Sequence, residues 1–576
     1  MLFTQHNTGG LTFVFDGPTL PLLLNLNTSQ LLANKREDYK GNTALISKWQ
    51  GSHLSYEALY SSTQDAAASL LNAGVRPGDR VLVLAGNTTE YVQLFFATGG
   101  VGAIFAIVNP TFSKAEILEA VEFLYPKVIV VAERIGYRKY HDLLEELIER
   151  KVHERSVIIQ LGTTQPTLRD VLPWNKFFQS KMNISAELFD SYWGKAEPDD
   201  ALCLQFTSGT TGPRKGALLT HNNLINNAYL VGHRLGFSSQ DVLCCSPPLF
   251  HCFGLVCGVL AGIVVHGMTV VLPSEIFNAG ESLQAISQNS CTVIHAVPTM
   301  FQAMLDYAQA KAYNTSNFLL RTGIIAGSSL SETLLQRLNA EFHLNGLAYA
   351  FGMTELSAVS FMTTPVSVSL LEDRSCVGTT LPHTSAVIVD EDMNALPPGS
   401  RGELLVSGYL VFKEYYRNPE KSKDAVVVDP QGRRWLRTGD IVQLSASGTA
   451  MVVGRLKDMI KRGGENIAPS DVESVLELHP QIAAAAVVGL PDEHWGETVC
   501  AFLQRNQNIG SLTPKESGNQ VKVWLRKRMA PHKIPEHIIW LGEEEGVPSR
   551  FPVNVSGKVL KTELSAVAAR LITRHR

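Results

Sequence analysis

The sequence predicts an α/β protein: a large N-terminal domain of α/β layers, a β-rich subdomain that closes it, and a small α+β domain at the C-terminus. Three observations support this. Short β-branched runs alternate with longer helical stretches through the first part of the chain, strands with tight turns crowd together from about Ala386 to Val453, and a mixed pattern returns from Arg455 onward. At 576 residues the chain also exceeds what one hydrophobic core organises, so at least two domains follow.

Taken in order, Tyr56 to Ala73 and Lys114 to Leu124 read as helices, while Arg80–Leu84 and Val128–Ala132 read as strands. That alternation predicts mainly parallel strands. Phe253 to Leu272 holds no Asp, Glu, Lys or Arg and matches a bilayer-spanning helix in length. Its four glycines, His266 and the strand-like Met268–Leu272 after Gly267 predict instead a buried helix followed by a buried strand. Gly323 to Ser331 reads as strand, tight turn and helix start, with Ser331 as the cap, which sets small residues at the carboxyl end of a strand, where open α/β sheets bind ligands. From Ala386 the texture becomes β-rich, punctuated by Pro-Pro-Gly, Asp-Pro-Gln-Gly and Ala-Ser-Gly. The expected domains are residues 1–454 and 455–576, joined by a short hinge.

Hydrophobic residues make up 45% and charged residues 18%, with a formal net charge of -4, a globular balance with no footprint for nucleic acid. The cysteines Cys203, Cys244, Cys245, Cys252, Cys257, Cys291, Cys376 and Cys500 contain no CxxC pair, and predict reduced, mostly buried thiols. No secretory signal is legible at the N-terminus and the chain is not expected to be an integral membrane protein. The expected compartment is the cytosol, with the peroxisome as the alternative, although Arg574-His575-Arg576 is not an SKL address.

The most specific local signal is Leu204 to Gly216, an apolar strand running into Thr207-Ser208-Gly209-Thr210-Thr211-Gly212-Pro213-Arg214-Lys215. Glycines let backbone N–H groups approach phosphate oxygens, hydroxyls donate further hydrogen bonds, and Lys215 adds positive charge. The loop is not a Walker A motif, because Arg214 stands where that motif has its second glycine.

TSGTTGPRKG resembles the signature loop of the acyl-CoA synthetase, firefly luciferase and nonribosomal-peptide adenylation superfamily. Further matches follow in order: Pro248-Leu249-Phe250-His251, Phe351-Gly352-Met353-Thr354-Glu355, Trp435 to Asp440, Gly454 to Asp458, and Ser556-Gly557-Lys558. The resemblance spans nearly the whole chain and implies the adenylate-forming fold, in which ATP and Mg²⁺ activate a carboxylic acid as acyl-AMP before transfer to coenzyme A. It implies that Phe351, with Gly352 and Met353, holds adenine, that Thr354 bonds the α-phosphate and that Glu355 is the metal ligand. Phe351 replaces the usual Tyr, so stacking is kept and a hydroxyl bond is not. The resemblance further makes Asp440 the ribose ligand with Arg455 beside it, His251 a gate at the acyl pocket, and Lys558 the catalytic ammonium of adenylation. Lys457 becomes the pivot of a mobile C-terminal domain, whose other face brings Lys461, Gly463 and Gly464 to the thioester step.

The implied acyl pocket is lined around His251, Val297 to Met300, Ala326 to Ser328 and the flanks of Phe351, mostly small or apolar. A medium-chain fatty or related aliphatic acid is the expected substrate, as in the medium-chain and fungal secondary-metabolite acyl-CoA ligases. An aryl acid of the coumarate type and the loading of a carrier protein in trans are the alternatives. A luciferase-like oxygenase would share the fold, and a non-catalytic AMP-binding sensor would not need Lys558.

Overall fold

In the computed structural model, which describes residues 13–162, 168–207, 215–327, 332–365, 376–506, 514–553 and 559–575, the β-branched runs pair as parallel strands. The chain divides into two compact units: Phe15–Ala386 with Val406–Leu436, and Val387–Leu405 with Arg437–Arg576. The division falls within the β-rich stretch.

The larger unit contains an eight-stranded sheet in the order Leu172–Pro173, Val157–Leu161, Val128–Ala132, Arg80–Leu84, Ile104–Ile107, Ala201–Thr207, Lys215–Thr220 and Glu414–Tyr415. It is parallel as far as Ala201–Thr207 and antiparallel beyond. Its central strands are buried almost throughout, as expected where helices cover both faces of a parallel sheet. A second set of parallel strands runs Thr43–Ser47, Thr269–Leu272, Val242–Cys245, Val293–Ala296, Thr322–Ala326 and Leu347–Phe351. The helices start where capping chemistry directs. Ser55 caps Tyr56–Asn72, and Ser113 with Glu116 closes a capping box on Lys114–Leu124.

The expected buried helix and strand are Phe253–Val265 and Thr269–Leu272, separated by Gly267 at φ +72°. The helix is wound as a π-helix, with N–H groups donating five residues back, as His266 N does to Ala261 O at 3.0 Å. Among the described residues no helix is long and apolar enough to cross a membrane. All eight cysteines are free thiols and only Cys376 is not fully buried.

In the smaller unit Gly496–Arg505 is the central strand of a five-stranded sheet, pairing antiparallel with Ile482–Asp492 along its length and also with Ile460–Arg462 and His537–Trp540. Period-two alternation feeds two apolar layers. Val487, Ala501 and Leu503 pack with Val472 and Leu476 of the helix Pro469–Leu476 and with Val521 and Leu525 of Pro514–Leu525. Val488, Cys500 and Phe502 pack with Leu564 and Ala568 of Lys561–His575.

Candidate active site

Within the larger unit, the carboxyl end of the strand Leu347–Phe351 runs into a tight turn that carries Gly352, Met353, Thr354 and Glu355. Gly352 is required there, because a Cβ would stand 1.8 Å from Ala358 O. Ser357 and Ala358 both take positive φ, +59° and +110°, conformations that cost non-glycine residues about 1–3 kcal/mol each unless the surroundings impose them. The surroundings do so. Ser357 Oγ donates to Leu410 O at 2.7 Å, Phe412 N donates to Glu355 O at 3.0 Å, and the Asn227 amide brackets Val359, donating to its carbonyl at 2.6 Å and accepting from its N–H at 3.1 Å.

Glu355 is only 5% exposed, and Tyr415 Oη donates to its Oε1 at 2.8 Å. Tyr415 lies on the edge strand that pairs with Lys215–Thr220, and Lys215 Nζ rests 4.9 Å from the centre of its ring. The strand ending in Thr207, the Lys215 strand and the Glu355 turn are thereby brought together. Ser208, Gly209, Thr210, Thr211 and Gly212 lie outside the described residues, as does Lys558 of the C-terminal motif.

His251 sits just before the π-helix on a loop that two distant residues hold. Asn87, 2% exposed, donates through Nδ2 to Pro247 O at 3.2 Å and accepts from Leu249 N at 2.8 Å. Gln205 Nε2 donates to Phe250 O at 3.0 Å, which ties the Ala201–Thr207 strand to the same loop. His251 Nδ1 accepts from Phe253 N at 3.2 Å, so the neutral ring carries its proton on Nε2. Although part of the residue is exposed, desolvation of the ring pushes its pKa down to about 4, so it is a neutral hydrogen-bond donor at physiological pH. The adjacent Cys252 thiol reaches the Thr354 hydroxyl and lies near Glu355, linking the two loops; burial pushes its pKa up to about 12 and keeps it protonated.

Behind these loops, His295 is sandwiched between Phe237 and Phe253, with centroids 6.0 and 5.7 Å away. Its Nε2 donates to Cys257 O and its Nδ1 accepts from Ile324 N, both at 3.1 Å, fastening the π-helix to the sheet. Of the pocket segments expected from sequence, Val297 and Met300 are buried and Ala326 is half-buried at the end of its strand. A surface hollow of about 680 Å³ between Ala308 and His343 shares no residue with these, and its Arg337 is paired with Asp306 and Glu341.

In the smaller unit, Asp440 and Arg455 face each other across paired strands, with Arg455 Nε 2.7 Å from Asp440 Oδ1 and Asp440 3% exposed. The bend before Asp440 is pinned by Arg437, whose guanidinium reaches Glu403 at 2.6 Å, and by Thr438 Oγ1 donating to Leu404 O at 2.8 Å. Lys457 is exposed just beyond, in a single helical turn. Lys461 is exposed on a strand whose register, Lys461 with Asn466 and Arg462 with Glu465, makes Gly463 and Gly464 a two-residue hairpin turn. Both have positive φ, +58° and +88°, the combination a type I′ turn demands and a sufficient local reason for the paired glycines.

The chemistry on offer in the larger unit is a buried carboxylate, a hydroxyl, a half-buried aromatic ring and a neutral imidazole donor, beside a lysine at the foot of a glycine-rich loop. A single hard carboxylate suits Mg²⁺, which binds through one or two carboxylates plus substrate phosphates rather than in an all-protein cage. Among the described residues no three His, Cys, Asp or Glu side chains form such a cage. Sequence reasoning missed Tyr415, Asn87, Gln205 and Glu403, each of which acts through a contact far away along the chain.

The family description "AMP-binding enzyme" matches residues 32–416, and "AMP-binding enzyme C-terminal domain" matches residues 471–558. The acyl-CoA ligase sidI of Aspergillus fumigatus is 36% identical over 568 residues, spanning 98% of this chain and 95% of that protein. The mitochondrial medium-chain acyl-CoA ligase ACSF2 of Danio rerio is 31% identical, spanning 94% of this chain and 88% of its own length. Among solved structures, ATP-bound MatB from Rhodopseudomonas palustris aligns with a TM-score of 0.78 at 25% identity, covering 94% of this chain and 99% of that one. The anthranilate CoA ligase AuaEII, in complex with anthranoyl-AMP, shares the fold with a TM-score of 0.80 at 23% identity, covering 96% of this chain and 99% of that one.

Proposed function

Because the chain belongs to the AMP-binding enzyme family and is an ATP-dependent acyl-CoA ligase, we propose that it activates a medium-chain or related aliphatic acid on Mg²⁺-bound ATP and transfers the acyl group to free coenzyme A. The observation that carries the reading is the Phe351–Glu355 turn, held through the strained Ser357 and Ala358 that follow it and set beside His251 and Lys215. The named chain length of the ACSF2 relative and the buried apolar Val297 and Met300 support the choice of acid.

In the first step a carboxylate oxygen of the acid attacks the α-phosphorus of ATP, the bond from α-phosphorus to the bridging oxygen breaks, and pyrophosphate leaves. Phe351 stacks on adenine, Thr354 donates to an α-phosphate oxygen, and Lys215 and the glycine-rich loop steady the outer phosphates. Glu355 would hold Mg²⁺, which would supply charge neutralisation of the phosphates. Asp440 accepts from the ribose hydroxyls, and Lys558 offsets the charge that builds up as two anions meet. In the second step the thiol of coenzyme A attacks the acyl carbon and AMP leaves. His251, neutral and protonated on Nε2, donates to the acyl oxygen as its charge grows. Lys457 is the pivot that exchanges the Lys558 face for the Lys461–Gly464 face between steps.

The test is a panel of acids from acetate through medium- and long-chain to aryl acids, with pyrophosphate and acyl-CoA followed separately. A maximum at medium chain length in both signals is expected. Preference for an aryl acid would replace the substrate assignment, and pyrophosphate without thioester from free coenzyme A would point to a carrier protein as acceptor.

A further inference from the structure

Glu355 is an acidic side chain almost wholly buried, and among the described residues no cation pairs with it. Among the described residues its one side-chain hydrogen bond comes from Tyr415, on a separate strand 60 residues away in sequence. A buried carboxylate that served only the fold would be paired with Lys or Arg, since burying an unpaired charge is costly. Lys215, the cation on the neighbouring strand, is held instead over the face of the Tyr415 ring. Tyr415 is itself 6% exposed and wedged edge-on against Phe412, with centroids 4.7 Å apart. Its backbone N–H donates to Ser422 Oγ at 2.9 Å, so neither the ring nor the strand is free to swing.

We propose that Tyr415 is a positioning residue for the metal ion carried by ATP, its hydroxyl occupying Glu355 Oε1 so that Oε2 is the oxygen left for the cation. This rests on the assignment of Glu355 as the metal ligand. Outer hydrogen bonds of this kind orient a ligating carboxylate and raise metal affinity, and a bond to a charged acceptor is among the stronger ones.

The experiment titrates ATP into the full-length protein without acid, so that nothing turns over, once with Mg²⁺ and once with EDTA. Wild type, Tyr415→Phe, Glu355→Gln and the double variant are compared by calorimetry. Tyr415→Phe keeps the ring, its packing and the Lys215 contact. The expected result is ATP binding about five- to tenfold weaker with Mg²⁺ and unchanged in EDTA, with no further loss when Tyr415→Phe is added to Glu355→Gln. Equal weakening with and without Mg²⁺ would reduce Tyr415 to a packing residue and overturn the proposal, as would additive effects in the double variant. A wild-type Mg²⁺ advantage that survives intact in Tyr415→Phe overturns the proposal alone. No Mg²⁺ advantage in wild type overturns the metal role of Glu355 and the proposal with it.

Discussion

Replacing Asn87 with Ala tests whether one buried amide holds the loop that carries His251. The truncation leaves the backbone bonds of residue 87 in place: its N–H still donates to Glu275 O at 2.9 Å, and its carbonyl still accepts from Trp49 Nε1 at 2.8 Å. It strands Leu249 N–H and Pro247 O in a buried loop, where Leu249 is 0% exposed. An unmade bond at a buried group costs about 1–3 kcal/mol, and the 3.2 Å bond is the weaker of the two, so the expected loss is about 2–4 kcal/mol. The assay is urea unfolding followed by tryptophan fluorescence, with steady-state kinetics alongside. Because the loop precedes His251, KM for the acid rises severalfold while KM for ATP stays near wild type. A stability change below about 0.5 kcal/mol, within the range of an ordinary surface substitution, with unchanged kinetics, would refute the claim that Asn87 positions the loop.

Two other substitutions probe the packing behind the site. Gly258→Ala sets a Cβ 2.6 Å from Cys245 Sγ, so it should cost about 1–3 kcal/mol as overpacking, and Cys245→Ala in the same chain should restore most of it; additive losses in urea unfolding would argue against the contact. The buried ring of His295 has its pKa pushed down to about 4, below the unfolded value, so between pH 6.5 and 4 the unfolded chain binds a proton that the folded one refuses. Stability therefore falls on acidification across that window, and His295→Gln should remove about 3 kcal/mol of the acid-dependent loss. An unchanged slope of stability against pH would show that His295 is protonated in the folded protein.

The parts of this fold legible in sequence are those set by local physics. Ser113 and Glu116 stand at capping-box spacing, so the start of Lys114–Leu124 could be read residue by residue. The charge-free run at Phe253 resolved into helix and strand because Gly267 and the β-branched tail punctuate it, yet its π-winding left no trace in the periodicity. The Phe351–Glu355 motif was legible because its chemistry is contiguous. What holds it was not, because Asn227, Leu410, Phe412 and Tyr415 reach it only through tertiary folding. Asn87 lies 160 residues from the loop it supports and looks in sequence like any polar residue after a strand. The paired glycines at 463 and 464 carry a local reason as well, the hairpin turn, beside the place in the thioester step that the family resemblance implies for them.

The central claim, an acyl-AMP intermediate made in one step and consumed in another, is tested most directly by a single-turnover comparison of wild type and Lys558→Ala. ATP, Mg²⁺ and a medium-chain acid are supplied first, coenzyme A afterwards, and pyrophosphate and acyl-CoA are quantified separately. The account predicts a burst of pyrophosphate before coenzyme A is added and thioester only after it. In Lys558→Ala the burst slows about a hundredfold or more, while thioester still forms from acyl-AMP supplied ready-made. A burst of undiminished rate in Lys558→Ala, or ATP binding in wild type with no pyrophosphate from any acid, would contradict the account.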